Sequence, residues 1–361
     1  MAGEREGGED LRKVLLRHVR RCPAMAPQDG VKLVYQNEFG SGHLLSDPVR
    51  GLNTLREEGK EVGYDPACPL GEDIGNGMVR VNLRALGEDY PLEELWSDML
   101  RSARRRAGDR GRFLEKLEVL RALTREGAFG FSSKELEDYL VGYLAAGCPP
   151  VSHSPGYRAA CRPAYRVVER RASLTLLVGE LLERTGRGER LLVALDGRCA
   201  GGKTTLAQML GERYRGPVVH LDHFFLRPEQ RAPERYAAPG ENVDHERFLE
   251  QVLLPLEAGR EAVYRPFLCH TQRMGEPIRV SPGPVTIVEG SYACHRELWD
   301  HYDLRVFLTV DPELQRKRIL ERNGPEGLVS FEKRWIPLEE AWFAKAGLEE
   351  RCDYVLDRSF S

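Results

Sequence analysis

The run LLVALDGRCAGGKT at residues 191–204 constrains this chain more than any other stretch. An apolar strand meets glycines, a lysine and a threonine at the spacing G-x-x-x-x-G-K-[ST]. Glycines let backbone amides curl toward an anion, and the amphipathic TTLAQMLGERY that follows offers a helix N-terminus with the positive end of its dipole. Gly197, Cys199, Ala200, Gly201, Gly202 and Thr205 then form the cradle, and Lys203 brings a mobile charge to the β- and γ-phosphates. Thr204 supplies a hydroxyl for Mg²⁺. A glycine-rich turn that merely contains a lysine is the competing reading, and the strand before and helix after argue against it. The expected ligand is ATP with Mg²⁺.

A chain of 361 residues has room for two domains. From residue 191 onward, short apolar strands (LLVALD, PVVHLD, VTIVEG, LRVFLTV and DYVLD) alternate with helix-length segments, the pattern of an α/β doubly wound parallel sheet. Before it the texture is α+β. VKLVYQNE reads as a strand, GMVRVNL as a hairpin arm, and three amphipathic runs follow, PLEELWSDMLRSARRRAG, RFLEKLEVLRALTREG and FSSKELEDYLVGYLAAG. Ser132 and Glu135 stand as a capping box, and Gly127 and Gly147 as helix stops. The boundary is drawn at 168/169, with a smaller α+β domain over 1–168 and a phosphate-binding domain over 169–361.

A net charge of −3 on a chain with intermixed acids and bases gives no support for a nucleic-acid partner. Eight cysteines without a C-x-x-C pair read as free thiols of a reducing cytoplasm. The acidic MAGEREGGED is not signal-like, and no run nears the ~18 apolar residues of a membrane span, so a cytoplasmic protein is expected. Oligomeric state is not readable.

Two acids stand where ligands of such sheets bind, at strand carboxyl ends: Asp222 in HLDHFF and Glu289 in VTIVEG. A carboxylate there can accept a hydroxyl proton or order a magnesium shell. No N-K-x-D or L-S-G-G-Q motif accompanies them. Together with GRCAGGKTT, YRPFLCHTQR, IVEGSYA, VFLTVDPELQRKRILERNG and FEKRWIPLEEAWF, these pieces make the segment from 191 to about 357 resemble the uridine kinase and phosphoribulokinase branch of P-loop kinases. The resemblance implies Asp222 as catalytic base and Glu289, with Thr204 and Asp222, at the metal. It also implies Tyr264, Phe267, His270 and Arg273 against a nucleoside acceptor, and Arg318 and Arg322 as lid arginines beside Lys203. Arg334 is a further lid candidate. The implied activity is transfer of the γ-phosphoryl of ATP to a hydroxyl of uridine or a related nucleoside.

Departures are visible. The family segment runs closer to Y-D-F-x-x-H-x-R, whereas here the arginine stands one place later and a proline follows Arg265. A same-fold kinase of pantothenate or a sugar phosphate, and an ATP-binding regulatory module, therefore stay open. The proline-rich RPEQRAPERYAAPGENVDHERF reads as a lid or substrate loop. In the leading domain, Glu38, His43 and Asp47 surround two glycines, and His153, Tyr157, Arg158, Tyr165 and Arg166 cluster in sequence. Either group could read a small molecule; a turn with a capped helix after it accounts for the first as well. That domain is read as substrate-selecting or regulatory.

Overall fold

The computed structural model describes residues 2–45, 48–87, 90–105 and 107–360. The chain separates into two units, Met1–Leu176 and Leu177–Ser361. In the first, helices α1 (Ala2–Arg21), α2 (Pro27–Phe39) and α3 (Pro48–Glu61) precede strands β1 (Gly71–Asp73) and β2 (Met78–Asn82). Helices α4 (Leu92–Arg105), α5 (Arg110–Arg125), α6 (Ser133–Ala145) and α7 (Pro155–Cys161) follow, then strand β3 (Tyr165–Glu169). The strands form one antiparallel sheet in the order β1-β2-β3. The three amphipathic runs are α4, α5 and α6. Glu135 N donates to Ser132 Oγ at 3.2 Å and Ser132 N to Glu135 Oε2 at 2.7 Å, closing the capping box. Gly127 and Gly147 follow α5 and α6 with positive φ.

Two expectations fail here. VKLVYQNE lies in α2, not in a strand. Its β-branched and aromatic residues suit a strand, but Pro27 opens the helix and Asp29 Oδ2 accepts the Ala26 N–H at 3.0 Å. Gly30, Leu33, Val34, Asn37 and Glu38, at three-to-four spacing, are all buried. A Cβ at Gly30 would stand 2.9 Å from Leu120, so α2 seats closely on α5. The second failure concerns the thiols: Cys22 and Cys161 form a disulfide, while Cys68, Cys148, Cys199, Cys269, Cys294 and Cys352 are free. Their separation of 139 residues is invisible to any spacing rule; packing brings their Cα atoms to 6.1 Å, within bridging reach.

Helix α8 (Leu174–Gly186) leads to strand β4 (Leu191–Gly197), helix α9 (Lys203–Tyr214), strand β5 (Val218–His220) and helix α10 (Pro233–Ala237). Helices α11 (His245–Phe248) and α12 (Leu254–Glu257) are joined by a π-turn, and strands β6 (Ala262–Tyr264), β7 (Phe267–Leu268), β8 (Arg273–Met274) and β9 (Ile278–Val280) make two small antiparallel pairs. The unit ends with β10 (Val285–Glu289), β11 (Leu304–Thr309), α13 (Pro312–Ser330), α14 (Ile336–Ala346), α15 (Leu348–Arg351) and β12 (Tyr354–Asp357).

All five strands read from the sequence join one parallel sheet, ordered β12-β11-β4-β10-β5. Every residue of β4 is buried, as a central parallel strand requires. From β4 the chain runs first to β5 and β10 on one side, later to β11 and β12 on the other. The carboxyl end of β4 is thus the crevice where connections diverge, and ligands bind doubly wound sheets there. Among the described residues no helix is long and apolar enough to cross a membrane.

Alkylation of the denatured chain without reductant should modify the six free thiols, and reduction should expose the remaining pair. Reduction or Cys22→Ser should lower the stability of the first unit by about 2–4 kcal/mol in urea titrations.

Candidate active site

Gly197 ends β4 where only glycine fits. Its φ is +126°, and a Cβ there would sit 2.0 Å from the Leu308 carbonyl oxygen of β11. The loop therefore presses against the neighbouring strand, and Arg198 N donates to Leu308 O at 2.9 Å. No side chain caps α9, whose N-cap is Gly202, so its first amides face outward for an anion. Lys203, largely buried, holds its Nζ over the loop by donating to Gly197 O at 2.6 Å and Arg198 O at 3.2 Å.

The acids converge on this loop. Thr204 Oγ1 donates to Glu289 Oε2 at 3.1 Å, and His220 Nδ1 bonds the other carboxylate oxygen at 2.6 Å. That bond raises the pKa of His220, outweighing its partial burial. Asp222 opens to the cleft on one side while protein atoms crowd it on the others. This desolvation pushes its pKa up and Glu289 adds to the rise, whereas Lys203 pulls it down. A raised pKa makes the ionised carboxylate a stronger proton acceptor.

A cleft of about 780 Å³ joins these groups, lined by Lys203, Thr204, Asp222, Glu289, Arg318 and Arg322 among others, including Cys199, Ala200, Gly201, Gly202 and Thr205. Arg318 donates to Ala200 O and Arg358 O, both at 3.2 Å, while Arg322 Nε donates to Asn323 Oδ1. Both arginines precede the break in α13 at Gly324 and Pro325. Arg334 does not line the cleft; its guanidinium stacks on Tyr236, which does.

Three participants escaped the sequence reading. Glu339 of α14 lines the cleft, accepting Cys199 N at 3.0 Å and Ser291 Oγ at 2.5 Å. Arg358 lines the cleft from just after β12. Asp196, fully buried, accepts the backbone N–H groups of Gly197 (2.7 Å), Tyr292 (3.2 Å) and Cys294 (2.9 Å). Burial pushes its carboxyl up to about 6. An acid ending an apolar strand was the signal that marked Glu289, and it marks Asp196 equally.

The segment predicted to hold the acceptor sits differently. Tyr264 and Phe267 are buried, Tyr264 with its hydroxyl 3.1 Å from His223 Nδ1; His270 and Arg273 are exposed. None of the four lines the cleft, but their neighbours Cys269 and Gln272 do. Phe225, Arg231, Tyr236 and Asn242 complete that wall.

In the first unit, Glu38 is a buried structural anchor, accepting Asp109 N at 2.7 Å and Lys116 Nζ at 2.7 Å. His43 is held neutral by burial, its pKa lowered to about 4. Asp47 lies outside the described residues. The later group does assemble: His153 Nδ1 donates to Asp29 Oδ1 at 2.8 Å, its Nε2 meets the Tyr165 hydroxyl, and Tyr157 stacks on its ring. Arg158 donates to His153 O at 3.1 Å, and Arg166 to Tyr165 O at 2.9 Å.

The donor set fits a hard divalent cation beside the phosphate loop: a threonine hydroxyl and a buried carboxylate already within 3.1 Å of one another, with Asp222 in the same cleft.

No known protein-family profile matches the chain. Over 181 residues it is 30% identical to dephospho-CoA kinase of Rhodopseudomonas palustris (strain HaA2), covering 47% of this chain and 87% of that protein. Among solved structures, a possible uridine kinase from Bacillus stearothermophilus is 20% identical, with a TM-score of 0.37 over 50% of this chain and 100% of that one. D-glycerate 3-kinase from Cryptococcus neoformans var. grubii is 16% identical, with a TM-score of 0.38 over 50% and 94%.

Asp196→Asn should turn an amide N–H toward buried N–H donors and cost about 1–3 kcal/mol in chemical denaturation. Because folding raises the pKa of His220, its pair with Glu289 stabilises fully below the unfolded histidine value of about 6.5 and fades as pH rises through the folded value. His220→Gln should therefore lower the urea midpoint more at pH 5.5 than at pH 8.5.

Proposed function

This chain belongs to the P-loop kinase family that includes dephospho-CoA kinase, and from that premise we propose that it transfers the γ-phosphoryl group of ATP to a hydroxyl of a small acceptor, a nucleoside in the first reading. One observation carries the proposal: an anion cradle, two acids and two arginines open onto a single cleft. Asp222 accepts the proton of the acceptor hydroxyl as its oxygen bonds to phosphorus and the bond to the β-phosphate oxygen breaks. Lys203 and the loop amides balance the leaving diphosphate. Arg318 and Arg322 supply planar donors to the charge spread over the transferring group, with Glu339 holding the loop in shape through Cys199 N. Mg²⁺, held by Thr204 and Glu289 with Asp222 nearby, supplies further neutralisation of phosphate charge when bound.

A second reading, an acceptor other than a nucleoside, draws on the cleft wall. Its acceptor side is Phe225, Arg231, Tyr236, Asn242, Cys269 and Gln272 rather than Tyr264, Phe267, His270 and Arg273. The relative named for dephospho-CoA supports this alternative. For the first unit we propose a substrate-selecting or regulatory role, supported by the assembled Asp29, His153 and Tyr165 group.

ATP consumption should be measured with uridine, other nucleosides, dephospho-CoA, pantothenate and sugar phosphates. One acceptor class should stimulate turnover, and Asp222→Asn should cut the stimulated kcat by roughly 10²–10⁴-fold while an ATP analogue still binds. Slow turnover indifferent to every acceptor would instead mark an ATP-binding regulatory module and end the kinase reading.

A further inference from the structure

Phosphoryl transfer makes no use of Glu241, His245 and His295. Glu241 follows α10, His245 opens α11 and His295 lies in the turn after β10. Each offers one ligand atom, and the three atoms lie within 4.8 Å of one another. Glu241 Oε2 is 3.3 Å from His245 Nε2, and Glu241 Oε1 is 3.7 Å from His295 Nε2. Donors bound tetrahedrally at about 2.0–2.1 Å from an ion stand roughly 3.3–3.4 Å apart. The first spacing is at that value; the second is longer and uses the other carboxylate oxygen, so ligation requires one oxygen of Glu241 to turn toward both imidazoles.

Burial gives a second, independent sign. His295 is 0% exposed, yet its Nε2 makes no hydrogen bond. A buried polar nitrogen without a hydrogen bond is costly, and a cation would satisfy it. The His245 and His295 rings stack 4.1 Å apart, and Trp342 covers His295 at 5.3 Å, walling the group off with aromatic surface. His245 Nδ1 faces Glu246 Oε2 at 3.5 Å, the outer carboxylate that commonly orients a ligating imidazole. Three features would rearrange. The stacked imidazoles, 16° from parallel, would tilt so that both in-plane Nε2 lone pairs reach one ion. His295 Nδ1 accepts Glu297 N at 3.3 Å, which ligation through Nε2 would exchange for a proton on Nδ1; Arg296, 3.9 Å from Glu241 Oε1, would lose that approach.

We propose that Glu241, His245 and His295 bind a zinc-like divalent transition ion through two imidazoles and one carboxylate, with water completing the tetrahedron. Imidazole nitrogen selects such an ion over Mg²⁺, so this site is distinct in chemistry from the one beside the phosphate loop. Its effect is mechanical. The ion would tie the proline-rich segment after Asp222 to the turn after Glu289, close in sequence to Asn242 and Tyr292, which line the cleft.

The full chain, stripped with chelator, should take up one equivalent of Zn²⁺ in calorimetry and raise its Tm. Co²⁺ should give the visible bands of four-coordinate nitrogen and oxygen ligation. Glu241→Gln and His295→Gln should each weaken Zn²⁺ binding by at least ~10-fold, while His301→Gln, outside the group, should not. Should a variant fail to fold, the Co²⁺ spectrum of the unaltered chain decides. Absence of those bands, strong near-ultraviolet thiolate charge-transfer bands in their place, or Zn²⁺ affinity unchanged in folded His295→Gln would overturn the proposal.

Discussion

The buried carboxylate of Asp196 is the brace on which the cleft depends. It accepts one amide from the start of the phosphate loop and two from the turn after β10. An ionised or neutral carboxyl is tolerable at the centre of a parallel sheet only when its oxygens are occupied, and three main-chain donors achieve that. The consequence is geometric. The strand end that bends into the phosphate loop and the strand end that carries Glu289 are held together, with Thr204 3.1 Å from Glu289. Gly197 works in the same place from the other side, letting the loop lie on the Leu308 carbonyl.

Around this brace the cleft balances opposite charges at short range. Asp222, Glu289 and Glu339 face Lys203, Arg318, Arg322 and Arg358 in one concavity. Neither set would be stable there alone, since like charges crowded away from water raise one another's energy. Their interleaving offsets the like-charge repulsion within each set. The break in α13 beside Arg322 lets one helix present its arginines and then turn toward α14, which returns Glu339 to the loop. Helices α13 and α14 are thus both tied to the loop through Cys199: Gln315 of α13 donates to its carbonyl and Glu339 of α14 accepts its amide.

The first unit shows how a local signal can mislead. VKLVYQNE has the composition of a strand, yet in α2 it is buried on nearly every side, so neither polarity alternation nor a polar helix face was present to betray the helix. What decided was the start: Pro27 in the first turn and Asp29 satisfying the Ala26 amide. Asp29 has a second task, since its other oxygen accepts from His153, more than a hundred residues later. The Cys22–Cys161 bridge is of the same kind, a contact created by packing and absent from any local pattern.

Buried parallel strands of the kind seen in the second unit are legible as apolar runs, because burial on both faces demands near-continuous apolar residues, and the anion loop after β4 demands glycine at its bends. Those requirements are local, so the sequence alone determined the five strands, the phosphate cradle, and the acids Asp222 and Glu289 at the strand ends. Which side chains of the following segment line the cleft was not a local matter. YRPFLCHTQR carries the family-like residues, but folding buries Tyr264 and Phe267, exposes His270, and turns Cys269 and Gln272 to the cleft instead. Only the tertiary structure could decide that, and only it could bring Glu241, His245 and His295 together, because side-chain direction in a short antiparallel turn or a connecting loop is set by what packs against it rather than by the order of residues.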